Sequence, residues 1–256
     1  MAWSGRYDDP QPSRINRWLA QSGVCSRREA EGLIARGLVS IDGARVDDPG
    51  RKIEAGQTLS LADDIEAGEG AFTAVLNKPV GIVSAQPEQG QVPAVRLLTA
   101  EALVGASSLM PDRDTSLAPL GRLDMDSHGL LLLSTDGVLA KAIIGPESEL
   151  EKEYLVRVFG TVTDRKLAQL RFGLKLDGRP LKTARITTIG EGRLRFILKE
   201  GRKRQIRRMC DLVQLKVADL DRVRIGPLAL GDLPEGKWRE LRGEERRALI
   251  EASKSS

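Results

Sequence analysis

The sequence predicts an α+β fold in two parts: a small N-terminal helix-helix-strand module, then a larger domain whose central, mainly antiparallel or mixed sheet is flanked by helices. Three observations predict it. Apolar residues recur at helical spacing between Ile15 and Ile34, short strand-like apolar runs recur after Phe72, and between them Asp63 to Ala71 is acidic, glycine-bearing and poor in groups to bury. A chain of 256 residues, 41% of them hydrophobic, can bury a core in each part.

Residues 1–12 are polar and rich in proline and charge, and read as a flexible arm. The module at 13–62 follows. Ile15, Trp18 and Leu19 fall at i, i+3, i+4, and Ala30, Leu33 and Ile34 repeat that spacing after the capping candidate Ser26. Gly37 closes the second helix, Val39 and Ile41 alternate as a strand, Asp42-Gly43 makes a hairpin turn, and Val46, Ile53, Leu59 and Leu61 suggest further short strands. The polar faces carry Arg14, Arg17, Arg27, Arg28, Arg36 and Arg45, which fits either a solvated surface or a nucleic-acid footprint.

Residues 63–71 have linker composition, 72–242 form the second domain and 243–256 a C-terminal tail. Val75-Leu76, Ile82-Val83, Leu130 to Leu133, Tyr154 to Val158, Arg185 to Ile189 and Leu194 to Leu198 read as strands. Helical patterns lie between them: Val138 to Ile144 after Thr135 and Asp136, Asp164 to Leu170 after Thr163, and Gln205 to Val213 after Gly201. Glu101 to Thr115 follows no period and receives no role.

Composition excludes several classes of chemistry. Cys25 and Cys210 lie far apart without C-x-x-C spacing, which argues against a disulfide framework and a structural zinc site and fits a reducing compartment. With His128 alone, no histidine-rich metal cage can form, and a Ser-His-Asp triad would rest on that one residue. No apolar leader or bilayer-length run is present, so the expectation is a soluble cytoplasmic protein without a membrane partner. Net charge is only +4, so clustering of the cations matters more than their excess.

Four stretches could carry chemistry. Leu76-Asn77-Lys78-Pro79-Val80-Gly81-Ile82-Val83-Ser84 joins a strand to a proline-glycine turn, and alone it reads as a hairpin connection with a solvated Lys78. In Gly121-Arg122-Leu123-Asp124-Met125-Asp126-Ser127-His128-Gly129, an extended backbone sets Arg122 and Asp124 on one face and Leu123 on the other. A nearby cation keeps a carboxylate ionised, as a nucleophile or base requires, and spacing alone equally allows a turn aspartate. Asp126 fits the turn role, and His128 a turn or surface position with no partner suggested nearby. Glu151-Lys152-Glu153-Tyr154 opens a strand whose Tyr154 is an ordinary strand residue or, in a pocket, a platform for a base. In Lys199 to Cys210, Ile206, Met209, Cys210 and Val213 share one helical face and Arg204, Arg207 and Arg208 another, beside a helix start suited to phosphate.

Together and in this order, these stretches resemble the pseudouridine synthase family that modifies ribosomal RNA, in the branch of small-subunit synthase A and large-subunit synthases B, E and F. Lys78 to Ser84 is similar to the family's first motif, Gly121 to Gly129 to its catalytic motif, Gly201 to Met209 to its arginine motif, and Ile225-Gly226-Pro227-Leu228 through Leu241 to its closing segment. Within that branch, Ile82-Val83-Ser84 with Glu151 to Tyr154 looks most like synthase F, which acts on the large ribosomal RNA. The module at 13–62 resembles the RNA-binding domain first seen in small-subunit ribosomal protein four, especially at Ser22-Gly23-Val24-Cys25-Ser26-Arg27-Arg28-Glu29-Ala30.

The resemblance implies Asp124 as nucleophile, Tyr154 stacked on the target uracil, Arg207 paired with Asp124, and Arg122 filling the space that the flipped base leaves. It implies RNA contacts from Arg14, Arg17, Arg27, Arg28, Arg36, Lys78, Arg202, Lys203, Arg204 and Arg208. The implied partner is structured RNA, most simply 23S ribosomal RNA, with 16S ribosomal RNA or transfer RNA as alternatives. No cofactor and no metal are implied, and the expected state is a monomer. Lys203 departs from the asparagine common in relatives, and Ser134-Thr135 from a common Thr-Asn pair. Two rivals remain at this point: a non-catalytic ribosomal-RNA-binding assembly protein, and a glycoside hydrolase using Asp124 and Asp126, which are too close in sequence to flank one bond easily.

Overall fold

A computed structural model describes residues 3–22, 24–25, 27–62, 71–112 and 115–254, with the backbone alone at Arg28 and Glu29. The expected linker at 63–71 lies, Ala71 apart, outside the described residues, as do Gly23 and Ser26. The chain divides into two compact units, Met1–Ala71 with Asp136–Ala140, and Phe72–Thr135 with Lys141–Ser256.

The first unit contains β1 (Ser4–Arg6), α1 (Ile15–Gln21), α2 (Arg27–Ala35), β2 (Val39–Ile41), β3 (Ala44–Arg45) and β4 (Thr58–Leu61). The strands form an antiparallel sheet in the order β1-β4-β2-β3. Ile15, Leu19, Ala30, Ile34, Ile53 and Leu59 are fully buried in its core, so the two helical periods face one interior. Asp42 and Gly43, with φ of 50° and 81°, supply the two positive angles that a tight β2–β3 hairpin requires.

The expected flexible arm is instead partly sheet. Ser4–Arg6 pairs with Thr58–Leu61, Tyr7 is buried, and the Trp3 and Tyr7 rings lie 5.6 and 5.5 Å from Trp18. Two aromatic anchors bring enough apolar area to order a segment whose other residues are polar.

The second unit is built on β5 (Thr73–Lys78), β6 (His128–Ser134), β7 (Lys152–Phe159), β8 (Arg185–Gly190), β9 (Arg193–Leu198), β10 (Lys216–Ile225) and β11 (Trp238–Glu240). Their order is β8-β9-β7-β10-β6-β5-β11, with β6–β10 parallel and the other neighbours antiparallel. Helices are α3 (Gly137–Ile144), which opens in the segment grouped with the first unit, α4 (Asp164–Arg171), α5 (Gln205–Leu212) and α6 (Gly243–Lys254). Leu130 to Leu133 are buried on both faces of β6, as a central strand demands, while β7 alternates inward and outward residues along its length.

Strand β10, the longest, has no counterpart in the sequence reading. Asp219, Asp221, Arg222 and Arg224 interrupt its apolar alternation; Asp219, Arg222 and Arg224 are received by His128, Leu130 O and Glu153 on neighbouring strands, while Asp221 keeps a buried oxygen without a hydrogen bond and burial pushes its carboxyl up. The expected tail at 243–256 is α6 as far as Lys254, held by fully buried Leu249 and by Glu245 on Arg239 at 2.7 and 2.8 Å. The unassigned stretch after Glu101 ties to β11: Val104 N donates to Trp238 O at 2.8 Å, and Ser108 Oγ to Glu240 Oε1 at 2.6 Å.

Candidate active site

A cleft of about 810 Å³ opens in the second unit. One wall is the loop 121–127 before β6, gripped along its length. Ser84, buried, donates its hydroxyl to Leu123 O at 2.7 Å and accepts from Leu123 N at 2.8 Å. Gly81 N donates to Met125 O at 2.8 Å, and Ser127 N to Asp124 O at 3.1 Å. Buried Arg222, from β10, donates to Gly121 O at 2.9 Å and Leu130 O at 2.8 Å. The loop backbone is thus anchored on both sides of Asp124, and Leu123 points inward while Arg122 and Asp124 line the cleft.

Asp124 keeps 32% side-chain exposure, and its ion pair is with Arg204, Nη1 to Oδ2 at 3.8 Å. The pairing of Arg207 with Asp124 is not what the structure places there. Arg207, a helical turn beyond Arg204 on α5, donates to Asp126 O at 2.6 Å and Ser127 Oγ at 3.2 Å, and its Nε lies 3.3 Å from Asp126 Oδ2. Arg204 forks onto both oxygens of Asp126 at 3.0 and 2.9 Å. Asp126, expected only to fill a turn, is therefore the anchor of two arginines. Burial resists its ionisation, but the Arg204 hydrogen bonds and the Arg204 and Arg207 charges outweigh that and hold its carboxyl below the usual range. Arg204 itself sits in left-handed backbone, φ 51°, at the start of α5, and non-glycine residues hold that conformation where surrounding contacts enforce it.

Three other expected RNA contacts are committed elsewhere. Arg202 donates to the carbonyls of Leu176, Arg179 and Pro180 at 3.2, 3.3 and 2.6 Å, which fastens the hairpin around Asp177. Arg208 forks onto Asp177 at 3.0 and 2.6 Å. Lys78 is fully buried and donates to Pro79 O and Ile82 O at 2.8 and 2.7 Å; burial brings its pKa down to about 8 against the opposing pull of Asp126 and Asp124. Proline-glycine turns leave carbonyls without partners, and this lysine supplies them. Lys78→Met is expected to lower unfolding free energy by about 2–4 kcal/mol, since two carbonyls lose their donor, while RNA affinity of the folded protein changes less than about twofold. Denaturant melts beside filter binding check this, and weaker binding at unchanged stability would make Lys78 a direct contact.

Lys203 stays exposed at the cleft with no ion pair among the described residues. Arg14, Arg17, Arg27 and Arg36 are exposed on the first unit, and the side chain of Arg28 lies outside the described residues. Tyr154, 9% exposed, lines the cleft from β7 opposite Arg222. His128 does have partners: Asp219 Oδ1 at 3.0 Å from Nε2 and Asp221 Oδ1 at 3.7 Å from Nδ1, both on β10. Ser84, Lys152 and Arg222 were missed as cleft residues; Lys152 had a signal in its i, i+2 relation to Tyr154, and Arg222 had none without β10.

Cations arrayed around a carboxylate that stays open would gain little from a neutral substrate. They suit an enzyme that draws a base out of a phosphate backbone and works on it in a pocket, the task of nucleic-acid base modification. Residues 73–212 match the family model of RNA pseudouridylate synthases, and residues 13–59 that of the S4 domain. The chain is 34% identical over 237 residues to the dual-specificity RNA pseudouridine synthase RluF of Salmonella typhi, covering 91% of this chain and 77% of that protein. It is 35% identical over 240 residues to ribosomal large subunit pseudouridine synthase B of Yersinia pestis, covering 89% and 72%. A crystal structure of a pseudouridylate synthase matches at TM-score 0.63 and 26% identity, over 92% of this chain and 99% of that one. The chain belongs to the RNA pseudouridylate synthase family, whose members are isomerases.

Proposed function

We propose that this chain isomerises a specific uridine of 23S ribosomal RNA to pseudouridine, with Asp124 as the reacting carboxylate. The observation that carries the reading is the contrast within one loop: Asp126 is consumed by two arginines, while Asp124, on a backbone gripped to either side of it, stays open to the cleft. Either attack on the ribose or removal of a ribose proton, giving a glycal, uses a carboxylate so placed. Tyr154 stacks on the extracted base, Arg122 fills the gap in the helix, and Arg204 and Lys203 meet the backbone. The exposed arginines of the first unit dock on structured RNA, as the S4 match supports.

The large-subunit substrate is supported by the name of the Yersinia relative. The name of RluF, a dual-specificity enzyme, favours a second RNA target, 16S ribosomal RNA or transfer RNA, as the next reading. Among the described residues no helix is long and apolar enough to cross a membrane, and the reading places a monomer in the cytoplasm. Carbodiimide mapping of ribosomal and transfer RNA from cells with and without the gene tests the activity and its substrate. Loss of one pseudouridine in 23S RNA is the expected result; RNA that binds the protein yet loses none would favour the assembly-protein alternative.

A further inference from the structure

Lys152 is 8% exposed although it lines the cleft. Its Nζ donates one hydrogen bond, to Leu150 O at 3.1 Å, and an ammonium has three to give. A lysine this buried ordinarily faces a carboxylate. Here the neighbouring acids are committed elsewhere: Glu149 to Lys182 and Lys199 at 3.1 and 3.0 Å, Glu151 to Arg185 at 2.7 Å, and Glu153 to Arg195 and Arg224 at 3.2 and 2.8 Å. The charges that act on Lys152 are those of Arg222 and Lys182, both of its own sign. Lys152 and Tyr154 are two residues apart on β7, Arg222 pairs opposite Tyr154 on β10, and all three line the cleft. Among the described residues no carboxylate pairs with Lys152, so its counter-anion comes with the substrate.

We propose that the Lys152 ammonium, with Arg222 as its neighbour, takes up the negative charge that the uracil ring acquires when its bond to ribose breaks. This rests on the uridine-isomerising reading above. The N1–C1′ bond breaks with its electron pair going to the ring, where the charge spreads over N1, O2 and O4. Asp124 meanwhile holds C1′ as an ester or takes the C2′ proton to leave a glycal. The ring turns, C5 bonds to C1′ and Asp124 is released, or returns its proton to C2′. The C5 hydrogen then leaves as a proton and N1 gains one, so nothing is oxidised or lost. Bound uracil is neutral, so a lysine–ring interaction grows as the bond breaks and favours the transition state over the ground state. Burial, then the two like charges, bring the lysine pKa down to about 8, so the competent ammonium is present below that pH and lost above it.

The test compares RNA carrying uridine with RNA carrying 5-fluorouridine at the target, because fluorine acidifies N1 and makes the ring a better leaving group. Single-turnover rates are read as loss of the target nucleoside by mass spectrometry after nuclease digestion. Lys152→Met is expected to slow uridine RNA about 100-fold and 5-fluorouridine RNA less than about 10-fold, with RNA affinity within about threefold. Lys152→Arg keeps the charge and is expected to recover most of the rate, and to lose the fall in kcat/KM expected of the unsubstituted chain above pH about 8. Equal slowing on both RNAs would make Lys152 a packing residue and overturn the proposal, as would full activity of the Met variant. Should Lys152→Met fail to fold, Lys152→Gln is compared on the same two RNAs, and equal slowing of both overturns it instead. Unsubstituted protein that isomerises neither RNA would overturn the underlying reading as well, a result distinct from active protein indifferent to Lys152.

Discussion

Asp124→Asn is expected to bind RNA within about threefold of the unsubstituted chain while pseudouridine formation falls on the order of 10⁴-fold. The substitution exchanges one oxygen for an amide of the same size, so the grip on the loop from Ser84, Gly81 and Arg222 involves backbone groups that it does not touch. Arg204 loses only its longer partner at 3.8 Å and keeps both bonds to Asp126. What is lost is the anionic oxygen, and an amide can neither form an ester with C1′ nor take the C2′ proton. Release of tritium from RNA labelled at C5 of uridine measures the rate directly, since that hydrogen must leave. Turnover near the unsubstituted rate would remove Asp124 from the chemistry and return it to the turn role that its spacing also allows.

How much of this was legible before the fold depended on where the relevant partner lies in sequence. The buried run Leu130 to Leu133, the Asp42-Gly43 turn and the helix of Gln205 to Leu212 are local patterns, and each forms where the periodicity puts it. The alternation of Arg122, Leu123 and Asp124 is local too. Partnerships between cations and acids are not: Arg204 meets Asp126 across 78 positions and Arg208 meets Asp177 across 31. A run of arginines in sequence reads as one basic surface, yet Arg202 and Arg208 are spent on holding a hairpin, and Arg207 is spent on the loop beside Asp124. Lys78 shows the same limit from the other side, because only burial reveals that a lysine beside a proline-glycine turn serves carbonyls and not phosphate. Strand β10 was illegible because Asp219, Arg222 and Arg224 break its apolar alternation and find their partners on strands distant in sequence.

Gly129→Ala is expected to destabilise the second unit by about 3–5 kcal/mol. Gly129 has φ +100°, a region in which an L residue is strained whatever the space around it. Its added Cβ would lie 2.5 Å from Arg222 O and 2.8 Å from Arg222 N, with Asp221 Oδ1 closer still. A side-chain oxygen can move aside, but the Arg222 backbone cannot move freely, because β10 is paired to β7 on one side and to β6 at this residue on the other. Gly129 is also opposite Lys78 on β5, so the strand cannot relax away without breaking that register. Relief by sliding β6 would move loop 121–127 and the Arg222 side chain that holds Gly121, which are two walls of the cleft. The loss should therefore appear in activity as well as stability, with kcat falling in the fraction that remains folded. Urea melts would show a lower midpoint at an unchanged slope if the folded and unfolded surfaces are otherwise the same. A shift below about 1 kcal/mol would mean that β6 and β10 do not approach this closely, and the positions of Asp124 and Arg222 derived from that approach would have to be redrawn.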